Sequence, residues 1–288
     1  MKKLFWLVIF PLFFINCGGK SYVNVVSFKG MWGVASDNKV QFYAYEDRVW
    51  QIKPDFEFTL PKGYKSIFIS YNYNYDRMIG VNFNDQVQFY RYSEKNDWQI
   101  IPEYELKLPK FTKNVFYSHF NDYPYDTFKI EIGIIVNNKV QFFQYIDNWE
   151  VFTDMELIIP DEYKNITDGL YIYFNTFDHY DEYGFVDDDY DKNEFYYIGY
   201  TVGLVSENKV QFFGLGIYPS EDEDENKMDY IWQVVPELEF ALPNGYKNIF
   251  LPDTRDLCVG IVFNNNIQFY TFDNKKGWVA KEFIDFTF

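Results

Sequence analysis

The stretch Gly80-Val81-Asn82-Phe83-Asn84-Asp85-Gln86-Val87-Gln88-Phe89-Tyr90 decides the fold, because it is one of five. Its frame returns as Gly33…Val40-Gln41-Phe42, Gly133…Val140-Gln141-Phe142, Gly203…Val210-Gln211-Phe212 and Gly260…Ile267-Gln268-Phe269, always with seven residues from glycine to the β-branched residue. A fixed internal period marks a chain built from stacked copies of one unit, so the unit has to be read first. Within it, Val87 and Phe89 alternate with Gln88, Tyr90 and Tyr92. That period of two belongs to a strand. Asn84-Asp85 and Asn137-Asn138 break the apolar runs where a tight antiparallel hairpin needs residues tolerant of turn geometry.

Working outward from the hairpin, each copy continues to a tryptophan, Trp50, Trp98, Trp149, Trp232 or Trp278, and four of these are followed eleven residues later by Pro61, Pro109, Pro160 and Pro243. Lys65, Lys113, Lys164 and Lys247 stand four residues beyond those prolines. Each copy then reads as four short strands, here named A to D from first to last. In the second copy these are A near Lys65–Ser70, B near Met78–Phe83, C near Gln86–Tyr92 and D near Trp98–Leu108. The glycine of strand B suggests close approach of a neighbouring backbone. Pro54, Pro102 and Pro236 fall in strand D and make it the outer edge.

A single four-stranded meander cannot bury both faces, so the copies are expected to stack around an axis. The expected architecture is all-β, a five-bladed β-propeller of four-stranded antiparallel blades, with an open arc of five meanders as the alternative. The second arrangement stays open because the first copy starts on strand A and the last ends on strand D, leaving no exchanged strand to lock a ring. Residues 22–288 form this one domain, in repeats of about 22–61, 62–109, 110–160, 161–243 and 244–288.

Composition agrees. There are 32 Phe, 27 Tyr and 7 Trp but only four alanines, Ala35, Ala44, Ala241 and Ala280, so strand formers abound and the best helix former is nearly absent. With 26 basic and 43 acidic residues the net charge is −17, which argues against nucleic acid as a partner.

The chain opens with Lys2-Lys3, an apolar run Leu4–Ile15 and then Cys17. Twelve residues are too few for a helix across a membrane, and the order is that of a signal peptide. Phe14-Ile15-Asn16-Cys17-Gly18-Gly19 resembles the lipobox of bacterial lipoproteins in a relaxed form. That resemblance implies a signal peptide over 1–16, a lipidated Cys17 at the head of a short tether (17–21), and a protein exported and held to the bacterial cell envelope by its lipid. Cys258 then has no partner for a disulfide and reads as a small buried hydrophobe.

Chemistry-bearing constellations are sparse. Only His119 and His179 occur, and no nucleophile-elbow, zincin or Cys-x-x-Cys motif is present, so the chain is not expected to be an enzyme. The tryptophans read as packing between copies. Tyr64-Lys65, Tyr163-Lys164 and Tyr246-Lys247 sit at turns and are the candidate ligand-binding residues. The acidic residues Asp187, Asp189 and Asp191, and the run Glu221, Asp222, Glu223, Asp224 and Glu225, are the candidate site for a cation or a cationic partner. Calcium is the one cofactor they suggest, although Asp187–Asn193 lacks the glycine and closing glutamate of an EF-hand.

Trp, then Gly-Tyr-Lys-x-Ile-Phe, then Ile-Gly-Val, then Val-Gln-Phe-Tyr in each copy resembles, distantly, the blades of tachylectin-like five-bladed propellers, and that resemblance implies a sugar ligand. The expected function is therefore a binding module for protein or glycan. The alternatives are a structural envelope protein and a glycan-processing enzyme.

Spacing adds one expectation. The B–C and D–A steps are constant, whereas Pro to the next Gly runs 19, 24, 43 and 17 and Val/Ile to Trp runs 10, 11, 9, 22 and 11. Insertions should therefore crowd one face and leave the other uniform.

Overall fold

The computed structural model describes residues 24–28, 30–36, 38–47, 49–71, 77–118, 130–163, 166, 168–173, 196–219, 228–250, 258–263, 266–273 and 275–287. Five antiparallel sheets follow one another in chain order. Blade 1 comprises β1 (Asn24–Phe28), β2 (Met31–Ser36), β3 (Lys39–Glu46), β4 (Val49–Ile52) and β5 (Phe58–Thr59). Blade 2 comprises β6 (Ser66–Tyr71), β7 (Arg77–Asn82), β8 (Gln86–Ser93), β9 (Asp97–Ile100) and β10 (Leu106–Lys107). Blade 3 holds β11 (Thr112–Tyr117), β12 (Ile130–Val136), β13 (Lys139–Tyr145) and β14 (Trp149–Ile158). Blade 4 holds β15 (Asp168–Tyr173), β16 (Tyr196–Val205), β17 (Lys209–Pro219) and β18 (Met228–Ala241), and blade 5 holds β19 (Asn248–Phe250), β20 (Cys258–Val262), β21 (Asn266–Asp273) and β22 (Gly277–Thr287).

The prolines of the outer strand act differently from blade to blade. In blades 1 and 2 they open a single 3-10 turn, Pro54–Phe56 and Pro102–Tyr104, which splits strand D into two pieces that both pair with strand C. Blade 4 keeps one strand and absorbs Pro236 opposite a bulge between Val210 and Phe212, and blades 3 and 5, whose outer strands hold no proline, carry a bulge at the same place. Either device removes the missing N–H from the ladder.

Alternation along strand C sends its two faces to two different neighbours. Val40 and Phe42 join a buried cluster with Ile67, Ile79 and Val81 of blade 2, while Tyr90 of blade 2 packs back on that same cluster. Val87 and Phe89 repeat the pattern against blade 3, Val140 and Phe142 against blade 4, and Val210 and Phe212 against blade 5. The fifth cluster joins Ile267 and Phe269 of blade 5 to Val25 and Val34 of blade 1. Five clusters for five seams make a closed five-bladed propeller, and the open arc is excluded.

Among the described residues closure uses no shared strand. Trp32 of blade 1 lies between Phe269 of blade 5, with ring centroids 4.6 Å apart, and Trp50 of its own blade, 4.3 Å away. At the other seams the strand-C phenylalanine stacks on the tryptophan of the next blade, Phe42 on Trp98 at 5.8 Å, Phe89 on Trp149 at 5.8 Å, Phe142 on Trp232 at 5.5 Å and Phe212 on Trp278 at 5.9 Å.

The strand-B glycine answers to a ring, not to a backbone as its sequence suggested. Gly80 pairs with Phe68 on one side and Phe89 on the other. A Cβ there would meet three Phe68 ring atoms at 2.3–2.7 Å. Gly133 under Phe116 and Gly260 under Phe250 repeat this, and where strand A offers Val26 or leaves Gly203 beside Leu170 the strand-C phenylalanine leans over the glycine itself.

Candidate binding face

In blades 1 to 4 the B–C hairpin and the turn into the next strand A emerge at the same end. Backbone hydrogen bonds tie them together, from the N–H groups of Leu60, Leu108, Ile159 and Leu242 to the carbonyls of Asn38, Asp85, Asn138 and Asn208. This is the uniform face. The A–B and C–D connections leave and return at the other end, and the insertions belong to them. Residues 178–194 carry eight acids and one lysine, and 218–230 carry six acids and one lysine. Asp187, Asp189, Asp191 and Glu221–Glu225 lie outside the described residues, as do Cys17 and Lys164. Among the described residues no three His, Cys, Asp or Glu side chains gather as a metal site.

The uniform face is richer in lysine. Its turns at 60–65, 108–113 and 242–247 contain Lys62, Lys65, Lys110, Lys113 and Lys247 and no acid, and all five lysines are exposed, whereas the turn at 159–164 carries Asp161 and Glu162 and the B–C hairpins carry Asp37, Asp85 and Glu207. Three further lysines at the start of strand C are matched by outer-strand carboxylates, Lys39 to Glu57 at 2.8 Å, Lys139 to Glu156 at 2.5 Å and Lys209 to Glu239 at 2.6 Å. The bond to Glu239 holds the Lys209 ammonium above its ordinary pKa.

Of the Tyr-Lys candidates, the two halves part company. Tyr163 donates its hydroxyl to Gln211 Oε1 at 3.3 Å and packs edge-on to Phe213, and Tyr246 donates to the Ser206 carbonyl at 3.1 Å. Tyr64 is half-buried against the seam of blades 1 and 2. These tyrosines hold the turns in place. Lys65 and Lys247 remain at the surface.

The tryptophans are structural at every described contact. Their indole N–H groups donate across the seams, Trp98 to the Phe56 carbonyl at 3.0 Å, Trp149 to Tyr104 at 3.2 Å, Trp232 to Met155 at 2.8 Å and Trp278 to Leu238 at 2.9 Å.

Two features of this face escaped the sequence reading. The first is a polar belt around the axis. Asn24, Ser66, Asn114, Asp168 and Asn248 occupy one register position of the inner strands, each opposite the residue two beyond the strand-B glycine. Asn248 Nδ2 donates to Asn24 Oδ1 at 3.1 Å, joining the last blade to the first, and Ser66 Oγ donates to Asn114 Oδ1 at 3.3 Å. Its signal in blades 2, 3 and 5 was the residue after the turn lysine, Ser66, Asn114 or Asn248, which changes identity and so hides. The second is Phe111. Its turn, closed from the Thr112 N–H to the Pro109 carbonyl, places it where the sister turns have Gly63 and Gly245. Those glycines have φ of 87° and 82°, and Phe111 adopts 66° with 77% of its surface exposed.

No family model matches the chain, and no curated protein matches it. Solved structures with a similar fold include a protein from Lactobacillus plantarum (13% identity, 88% of this chain and 67% of that one, TM-score 0.41). Others are a functionally unknown protein from Desulfotomaculum acetoxidans (12% identity, 94% and 71%, TM-score 0.39) and Kluyveromyces marxianus Hsv2 (10% identity, 90% and 97%, TM-score 0.39).

Proposed function

We propose that this chain is an exported, lipid-anchored module of the bacterial cell envelope that binds a protein or a glycan through the uniform face of its propeller. One observation carries the reading. The recurrent aromatics and glycines are engaged in packing between and within blades, whereas the turn lysines Lys65, Lys113 and Lys247 stand exposed on a single face. Export and anchoring rest on Lys2-Lys3, the apolar run and Cys17, read as a lipobox. A sugar ligand is in keeping with the distant resemblance of the blades to tachylectin-like propellers. Catalysis is not part of this function.

Two measurements test it. Binding of the purified chain to an array of glycans and envelope proteins should give selective hits that weaken when the turn lysines are changed; a clean negative refutes the binding role. Metabolic labelling with a fatty-acid analogue should mark the wild type and not Cys17→Ser, and equal labelling refutes the anchor.

A further inference from the structure

Resting on that reading, we propose that the inner rim of the uniform face binds a carboxylate- or sulfate-bearing glycan, with Lys65, Lys113 and Lys247 facing its anionic groups and Phe111 stacking on a sugar ring. The placement begins with the inner strands. Lys65, Lys113 and Lys247 each stand one residue before the polar-belt position of their blade, so blades 2, 3 and 5 bring a cation to the inner rim at the same level. All three are exposed. Blade 1, between blades 5 and 2, brings the amide of Asn24. The rim is thus cationic and amide-lined along the arc of blades 5, 1, 2 and 3. An anion is drawn to that arc.

Asn24 supplies an independent sign of a ligand in the middle of that arc. The residue is 8% exposed, its Oδ1 accepts from Asn248, and its Nδ2 has no partner. A buried donor left unpaired is costly, and an acceptor from outside removes that cost. An oxygen of an anionic sugar is such an acceptor.

Phe111 distinguishes a glycan from a bare anion. A bulky side chain at φ of 66° is an outlier for which the sister turns use glycine, and strain of this kind persists where the side chain is needed. The ring lies on the turn between blades 2 and 3, flanked by exposed Lys110 and Lys113, and is one of the most exposed apolar side chains described. A flat aromatic face beside cations suits the apolar face of a pyranose that also carries charge.

Titration of the purified chain with oligogalacturonate, a sulfated dextran oligomer, neutral dextran of the same length and inorganic sulfate decides the matter. Binding is expected for at least one anionic oligomer, falling with salt, and not for neutral dextran. Inorganic sulfate should bind far more weakly than the oligomer, because it has no ring for Phe111. Each of Lys65→Gln, Lys113→Gln and Lys247→Gln should weaken binding about fivefold, the scale of one charge-assisted contact at a solvated site. Phe111→Gly should weaken oligomer binding by a similar factor while raising the melting temperature, which separates lost contact from lost fold. Neutral dextran binding as well as the charged oligomers, or a triple Lys→Gln variant binding as wild type, overturns the anionic ligand and leaves the binding module standing. Failure of both anionic oligomers to bind also overturns this inference, and the array alone then judges the module.

Discussion

Replacing Gly80 by alanine should cost roughly 2 kcal/mol, and the cost should vanish when Phe68 is also removed. The added Cβ would lie 2.3, 2.5 and 2.7 Å from three atoms of the Phe68 ring, distances that no packed carbon adopts. Relief requires the ring to move. Phe68 is only 8% exposed, stands edge-on to Phe89 with centroids 6.0 Å apart, and shares its cluster with Met78, Val87, Val115 and Ile130 across the seam to blade 3. Overpacking of that kind costs roughly 1–3 kcal/mol, and the loss of unfolded-state entropy on Gly→Ala returns only about 0.4–1 kcal/mol. Phe68→Ala alone should cost about 3–5 kcal/mol. In the double variant the new methyl group enters the space the ring has left, so Gly80→Ala should add nothing and the coupling energy should be about −2 kcal/mol. Urea unfolding of the four proteins, compared at constant m-value, measures this. Additive costs, with coupling below about 0.5 kcal/mol, would refute the claim that the glycine exists to seat this ring.

Trp98→Ala should cost about 3 kcal/mol, the low end for a large aromatic because the indole is half-buried, whereas Trp98→Phe should cost about 1 kcal/mol by losing the 3.0 Å bond to the Phe56 carbonyl; calorimetric melting compares the two. Phe111→Gly should stabilise the fold by about 1 kcal/mol through relief of the left-handed backbone, and a lower melting temperature would contradict the strain argument. Burial lifts the phenols of Tyr43, Tyr90 and Tyr270 above the ordinary value of 10.0. Each donates to the glutamine two residues before it, Gln41, Gln88 or Gln268. The folded chain therefore holds these protons more tightly than the unfolded chain, so stability is intact below pH 10 and falls as pH rises above it. Tyr90→Phe should shrink that alkaline loss in urea titrations at pH 8 and 11, and an unchanged slope would show that Tyr90 contributes nothing to it.

The sequence by itself determined what depends on local period and repetition. The Val-Gln-Phe alternation sets two faces per strand, the seven-residue step from Gly80 to Val87 sets the hairpin, and five recurrences set the number of blades. Constant B–C and D–A steps also identified the uniform face, because in a meander those two connections share an end. Tertiary structure decided what depends on which residues meet across blades. Whether the ring closes turned on Trp32, Phe269 and the Asn248–Asn24 bond, partners separated by most of the chain and carrying no sequence signal of their pairing. The same holds for the tyrosine and lysine of the Tyr-Lys turns: their adjacency suggested a joint role, but Tyr163 and Tyr246 are drawn inward by Gln211 and the Ser206 carbonyl while Lys65 and Lys247 stay in water. The polar belt was invisible for a related reason. Asn24, Ser66, Asn114, Asp168 and Asn248 share no residue type, only a register position, and register around an axis exists only once five sheets have packed.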